Sequence, residues 1–419
     1  MSKMEKISSE ISRQRLESTR THPWISFAFD PNALPGPVWG MLGQGESKCL
    51  HLQRTPLKPE VARKMHRIAL IKGAQATAAI EGNTLSEEQV SAAAQGTLEA
   101  PPSLRYQQVE IENILGALNE LGESLGHRDA APLELSPAWF NHWNGRLLDG
   151  AKLDDDVVPG EVRAHSVVVG GNYRGAPARD CPALLDMLGR WVSGPELKPN
   201  DAAPATHAPS SFASAFIRAT VTHLYVEWIH PYGDGNGRLG RLAEFAVLMD
   251  AGLSLPAALQ LSQHYNRTKA EYYRVLAQST SDGSRGVAQF IAYAAQGFVD
   301  QMQSLLDDVA DQVADSTWRE FLYETLPATT AAERRCRKLA LALPTDRIGK
   351  SRSDIPTLTS ELAQAYAHAT GKTVTRDINT LLRSGIAVEA DGKLLANTAM
   401  LRDRLPLGRE RDEQWRLDH

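Results

Sequence analysis

The run from His230 to Arg241, His-Pro-Tyr-Gly-Asp-Gly-Asn-Gly-Arg-Leu-Gly-Arg, constrains this 419-residue chain more than any other segment. Upstream, Phe212, Phe216, Ile217, Val221, Leu224, Tyr225 and Trp228 recur at three- and four-residue intervals, which predicts one face of a helix. Downstream, Leu239, Leu242, Phe245, Ala246 and Met249 predict a second helix, interrupted at Gly252 and Pro256. The run therefore joins two helices and feeds the N-terminus of the second, where unpaired N–H groups and a partial positive charge make a ready anion site. Gly233, Gly235, Gly237 and Gly240 let the backbone approach an anion closely, since no Cβ stands in the way. Arg238 and Arg241 supply forked donors suited to phosphate, and His230 can take or give a proton near neutral pH. Alone, a histidine before proline commonly just ends a helix, and Asp-Gly-Asn-Gly is commonly a pair of turns. The joint pattern points to phosphate chemistry.

Composition bounds the remaining choices. A hydrophobic content of 42% suffices for real cores, and the length suggests two or three domains. The net charge of −5 argues against general adhesion to nucleic acid. Cys49, Cys181 and Cys336 are scattered, odd in number and without metal-site spacing, which predicts a reduced, cytoplasmic setting. Met1 to Arg20 is polar with no apolar core of a secretory signal, and no apolar run is long enough to span a bilayer, so no membrane role is expected.

His230 to Arg241 resembles the signature of the Fic family, His-x-Phe-x-Asp/Glu-Gly-Asn-Gly-Arg-x-x-Arg, with Tyr232 in place of the phenylalanine. The resemblance implies an enzyme that moves AMP from ATP onto a hydroxyl of a target protein. It implies that His230 is the base that deprotonates that hydroxyl and that Asp234 holds Mg2+ (or Mn2+). Gly235, Asn236, Gly237 and Arg238 would cradle the phosphates, with Arg241 on the terminal one. The related Doc branch, which phosphorylates, carries lysine at the position of Gly237, so glycine there favours nucleotidyl transfer.

Three further segments resemble family elements. Thr77-Ala-Ala-Ile-Glu81-Gly82-Asn83 fits the inhibitory motif Ser/Thr-x-x-x-Glu-Gly/Asn, which implies that Glu81 competes with the terminal phosphate for Arg241. It ends a helical stretch through Val61, Met65, Ile68, Ala69 and Ile71, with Gly82 as the C-terminal stop. Gly160 to Asn172 resembles the flap that docks the target; Val167, Val168 and Val169 have strand character before the Gly170-Gly171 turn. Glu271 to Leu276 resembles the helix that lines the adenine, with Tyr273 and Leu276 as walls. Some relatives place asparagine four residues after that leucine, where this chain has Thr280, so the base preference is open.

Punctuation by proline and glycine suggests four regions: 1–104, an N-terminal cap with the inhibitory helix; 105–315, the Fic core; 316–356, a helical connector; and 357–419, a separate module with a tail. The segment before Pro56 reads as irregular, 195–211 as a surface loop, and 346–356 as a polar connection. In the tail, Leu358, Leu362 and Tyr366 mark one helix and Val374, Ile378, Leu381 and Leu382 another. Ile386 to Leu395, around Asp391-Gly392, reads as a hairpin. This order resembles a winged helix. A DNA-reading role would put Thr373, Thr375, Arg376 and Asn379 in the groove, but the few basic residues there favour a packing or protein-interaction module.

The expected protein is mostly α: a Fic-fold helical core with a small β-hairpin flap, plus a winged-helix-like α+β module. Its expected activity is AMP transfer from ATP to a Ser, Thr or Tyr hydroxyl, restrained by Glu81. Self-modification and a homodimer are compatible with the resemblance. The alternatives are a nucleotide-binding regulator without catalysis, or an enzyme that uses another nucleotide or removes AMP.

Overall fold

The structure, a computed structural model, describes residues 16–402 except 128–130, 170–172, 195–196, 198–210, 282–283 and 346–347. The Gly170-Gly171 turn and nearly all of the 195–211 loop thus lie outside the described residues, as does most of the segment Met1 to Arg20. The chain divides into two compact units, 1–306 and 307–419. No helix among the described residues is long and apolar enough to cross a membrane.

The first unit is helical. Its main helices are α1 (Gly36–Arg54), α2 (Pro59–Ile80), α3 (Glu87–Ala94), α4 (Arg105–Leu125) and α5 (Pro137–Leu147). After the two-residue strands β1 (Val168–Val169) and β2 (Tyr173–Arg174) come α6 (Cys181–Ser193), α7 (Ser211–Ile229) and α8 (Asn236–Asp250). Then follow α9 (Gln260–Arg267), α10 (Lys269–Gln278) and the long α11 (Ser284–Thr325), within which the unit boundary falls. α7 is apolar nearly all round and buried along its length, as expected of a central helix. α8 packs along it, and α2 lies against α4 and α9. Phe290, Ile291, Ala294, Phe298 and Met302 of α11 are all buried, in keeping with the periodicity of that stretch.

One difference stands in the N-terminal segment, which the density of proline and glycine marks as irregular. The structure forms the 19-residue α1 there. Pro37 sits in its first turn, where a missing N–H costs nothing. At Gly45 an added Cβ would lie 3.1 Å from Phe212 and 3.2 Å from Phe298, so glycine lets the helix approach the core closely.

The second unit contains α12 (Ala331–Ala342), β3 (Lys350–Ser351), α13 (Ser360–Tyr366), α14 (Gly371–Arg383), β4 (Ala387–Ala390) and β5 (Lys393–Ala396). Trp318, Leu322, Leu339, Ile355, Leu362, Ile378, Leu381 and Leu394 share its core. β4 and β5 form the expected hairpin, with Asp391 and Gly392 both at positive φ (51° and 72°), a turn whose twist suits tight hairpins. β3, in the connection read as merely polar, pairs with β5 and makes a three-stranded antiparallel sheet of order β3-β5-β4.

Candidate active site

α7 ends at His230, which adopts φ 48°, a left-handed conformation uncommon outside glycine. Its N–H still bonds to the Val226 carbonyl at 2.9 Å, so the residue closes the helix and turns the ring out of the helical path. Arg163, buried, holds the turn from outside: its Nε donates to the His230 carbonyl at 2.8 Å, and its Nη1 and Nη2 to the carbonyls of His165 and Ala176 at 2.5 Å each. Burial first, then the Arg163 charge, push His230 down to about 4, so the ring is neutral at physiological pH. Its Nδ1 is buried without a hydrogen-bond partner, 3.9 Å from Glu227 Oε2. A neutral, partly desolvated imidazole is the form a general base requires.

The loop after His230 is fixed by its own side chains. Asn236 donates from Nδ2 to the Tyr232 carbonyl at 2.8 Å, and its Oδ1 accepts from the Tyr232 N–H at 2.9 Å. Tyr232 is buried, and its hydroxyl donates to Asn141 Oδ1 at 2.7 Å. That bond explains how tyrosine serves at an apolar anchor: the extra oxygen has a partner. Asn144 donates to the Asp234 carbonyl at 3.0 Å. Gly235 takes φ 80° as the N-cap of α8, a conformation that favours glycine.

The first-turn N–H groups of α8 have no carbonyl of their own helix to bind. Both motif arginines lie beside them, and both are paired with carboxylates. Arg241, nearly fully buried, donates from Nη2 to Glu81 Oε1 at 2.5 Å and to the Thr77 carbonyl at 3.1 Å. Burial disfavours charge on both partners, but mutual attraction wins. The Arg241 guanidinium holds the Glu81 carboxyl below the usual range, and Glu81 raises Arg241. A Cβ at Gly237 would collide with Glu81 Oε1. The Glu81 carboxylate is therefore an internal anion seated at the N-terminus of α8. Arg238 donates from Nη1 to Glu110 Oε1 at 2.5 Å and from Nη2 to Asp234 Oδ1 at 2.8 Å.

Beneath this layer lies a buried polar cluster. His223 contacts Glu244 Oε1 at 3.3 Å and the Tyr272 hydroxyl at 3.1 Å, and the Tyr265 hydroxyl donates to the same glutamate oxygen at 2.9 Å. Glu227 lies 3.8 Å from His223, and burial raises its pKa.

The structure thus brings together His230, Asp234, Gly235, Asn236, Gly237, Arg238, Arg241 and, from 160 residues upstream, Glu81. Val168 and Val169 pair with Arg174 and Tyr173, while Val167 lies just outside the strand, its carbonyl accepting from the Gly175 N–H at 3.2 Å. Val168 is exposed. Tyr273 is 44% exposed, but its hydroxyl donates to the Ile80 carbonyl at 3.0 Å; Leu276 is half-buried three residues on. Sequence reasoning had no role for Glu110, Asn144 or the buried cluster. Glu110 is one acid among several on the amphipathic α4, and only the fold shows that it faces Arg238. Arg163 lies within the Gly160 to Asn172 segment that resembles the flap, but had no role of its own there.

Residues 134–248 match the Fic/DOC family. The chain carries a Fic domain. The Fic domain thus runs from just before α5 almost to the end of α8 and includes the whole motif. The chain is 25% identical over 318 residues to protein adenylyltransferase fic-1 of Caenorhabditis elegans, covering 70% of this chain and 58% of the relative. It is 28% identical over 159 residues to protein adenylyltransferase Fic of Drosophila melanogaster, covering 38% of this chain and 28% of that one. The chain therefore spans little more than half of the nematode relative's length. Its fold is similar to that of a Fic family protein from Desulfovibrio desulfuricans G20, with TM-score 0.54, 17% identity, and coverage of 88% of this chain and 98% of that one. It is also similar to Caenorhabditis elegans Fic-1, with TM-score 0.51, 22% identity, and coverage of 65% and 72% respectively.

Proposed function

We propose that the Fic domain transfers AMP from ATP to the hydroxyl of a Ser, Thr or Tyr side chain on a protein, and that Glu81 restrains this activity. The observation that carries the reading is the seat of the Glu81 carboxylate, on Arg241 and against Gly237 at the start of α8. An anion held there by protein marks where a terminal phosphate would bind, and the two compete for the same donors. Two relatives named protein adenylyltransferase support the reaction class.

The chemistry follows from the placement of His230. Its neutral ring accepts the proton of the target hydroxyl as that oxygen attacks the α-phosphorus. The bond from that phosphorus to the pyrophosphate oxygen breaks, and pyrophosphate leaves with the electron pair. Arg238, Arg241 and the N–H groups at the start of α8 stabilise the charge that moves onto the leaving group. Asp234 suits a divalent cation, Mg2+ or Mn2+. Its side chain is 47% exposed, Oδ1 bonds to Arg238 and the Gly235 N–H, and Oδ2 has no partner among the described residues. No group of three or more His, Cys, Asp or Glu among the described residues could hold a metal, but magnesium is commonly bound by one carboxylate plus phosphate oxygens. Such a cation would neutralise phosphate charge. Tyr273 and Leu276 would flank the adenine, and the exposed edge at Val168 would pair with an extended target segment. We read the helices and hairpin of the second unit as winged-helix-like.

The test is label transfer from ATP carrying its label on the α-phosphate, with the Glu81→Gly protein and a cell lysate. His230→Ala in that background should lower transfer by about 10²–10⁴-fold, the usual worth of a general base, while ATP binding persists. Full transfer by the His230→Ala protein would overturn the assignment.

A further inference from the structure

The end of α2 that bears Glu81 is tied down by side-chain hydrogen bonds that the proposed reaction does not use. The backbone closes part of it: the Glu81 and Asn83 N–H groups bond to the Ala78 carbonyl, and the Gly82 N–H bonds to that of Ala79. Two ties come from α10. Lys269 Nζ donates to the Ala79 carbonyl at 3.0 Å, and the Tyr273 hydroxyl donates to the Ile80 carbonyl at 3.0 Å. Lys269 and Tyr273 are four residues apart and so share one helical face. Both ties suit their position: the Ala79 carbonyl, which also accepts from the Gly82 N–H, offers its second lone pair, and the partial negative charge at a helix C-terminus is complemented by a lysine.

The other side of the turn is anchored to α4. Asn83 donates from Nδ2 to the Gln107 carbonyl and to Glu110 Oε2, both at 3.0 Å. Glu81 thus sits between two fixed points, and the reach of its carboxylate to Arg241 depends on both. Glu81 is itself the C-cap residue, directly after the carbonyl that Tyr273 holds, so a small shift of the helix end moves its side chain away from Arg241.

We infer that Lys269 and Tyr273 are positioning residues for Glu81: as a clamp on the end of α2 they keep its carboxylate on Arg241. The inference rests on the reading of Glu81 as the restraint.

The test uses Lys269→Met, which keeps the apolar stem and removes the ammonium, in the wild-type and Glu81→Gly forms of this 419-residue chain. Label transfer from ATP should rise roughly three- to tenfold in the wild-type background, the scale of one lost hydrogen bond to a helix-end carbonyl. In the Glu81→Gly background it should not change. Amide hydrogen exchange across residues 77–83 should be faster in Lys269→Met than in wild type. Tyr273→Phe, which keeps the ring, should raise wild-type activity in the same direction. If Glu81→Gly activates but Lys269→Met does not, the clamp is refuted and the restraint by Glu81 survives. Equal gains in both backgrounds would also refute the clamp, because the effect would not pass through Glu81. If Glu81→Gly itself gives no gain, the underlying reading falls.

Discussion

Glu81→Gly is the perturbation whose effect the structure specifies best. It removes the carboxylate whose Oε1 lies 2.5 Å from Arg241 Nη2 and leaves the remaining phosphate donors in place. Hydrogen bonds to charged groups contribute about 1.5–3 kcal/mol, which corresponds to roughly ten- to hundredfold in the balance between a seated carboxylate and a seated phosphate. The Glu81 side chain is 31% exposed, so solvent screens the pair, and the lower end of that range, about tenfold, is expected. The fold should tolerate the change. Glu81 is the C-cap of α2 with φ −84°, a conformation glycine adopts readily, so the backbone is not strained; the cost falls on the buried Arg241, which keeps the Thr77 carbonyl but loses its carboxylate, and the apo protein should be less stable by about 2–4 kcal/mol. The assay is the initial rate of label transfer from ATP, to the protein itself and to lysate proteins, at matched concentrations of wild type and mutant. Adding Arg241→Ala should cancel the gain, since the freed arginine is its agent. An unchanged rate in Glu81→Gly, or a gain that survives loss of Arg241, would refute the reasoning; the latter would mean that Glu81 acts through helix packing.

Three further outcomes are expected. Asp234→Ala should abolish transfer, and EDTA should do the same to the unmutated site, because Asp234 is the one motif carboxylate; EDTA-resistant activity would contradict this. Stability should fall between pH 6.5 and about 4, because burial pushes both His230 and His264 down to about 4 while the unfolded chain titrates near 6.5. In that window the unfolded state binds protons that the folded state refuses, so each histidine costs roughly 2 kcal/mol by pH 5, readable as a lower urea midpoint. Gly189→Ala should destabilise the first unit by about 3 kcal/mol, since the added Cβ would run into the Leu135 carbonyl, a backbone group that cannot turn aside; a Tm within a degree or two of wild type would contradict that packing.

The parts of the site visible in sequence are those where one local rule dominates. Helical periodicity on either side of His230 to Arg241 predicts α7 and α8, and the Asp391-Gly392 pair predicts the β4–β5 hairpin. The pairing of Glu81 with Arg241 was legible only through a family motif, since nothing in the spacing of residues 160 apart implies contact. Tertiary context hid the rest. α1 is masked by its glycines, of which Gly45 serves close packing under Phe212 and Phe298 while Gly36, Gly40 and Gly43 face open space. The strand β3 is two residues long and exists because β5 offers it an edge. Glu110 is an ordinary acid on α4 until the fold sets it against Arg238. The hydroxyl of Tyr273 has a structural use that a reading of its ring alone could not supply.

The most direct measurement compares two preparations of ATP, labelled on the α-phosphate and on the γ-phosphate, incubated in parallel with the Glu81→Gly protein. Transfer of AMP predicts that α-label becomes protein-bound, that γ-label leaves as pyrophosphate, and that His230→Ala removes the α-signal. Protein-bound γ-label without α-label would instead mean phosphorylation, and would contradict the proposal that the α-phosphorus reacts beside His230.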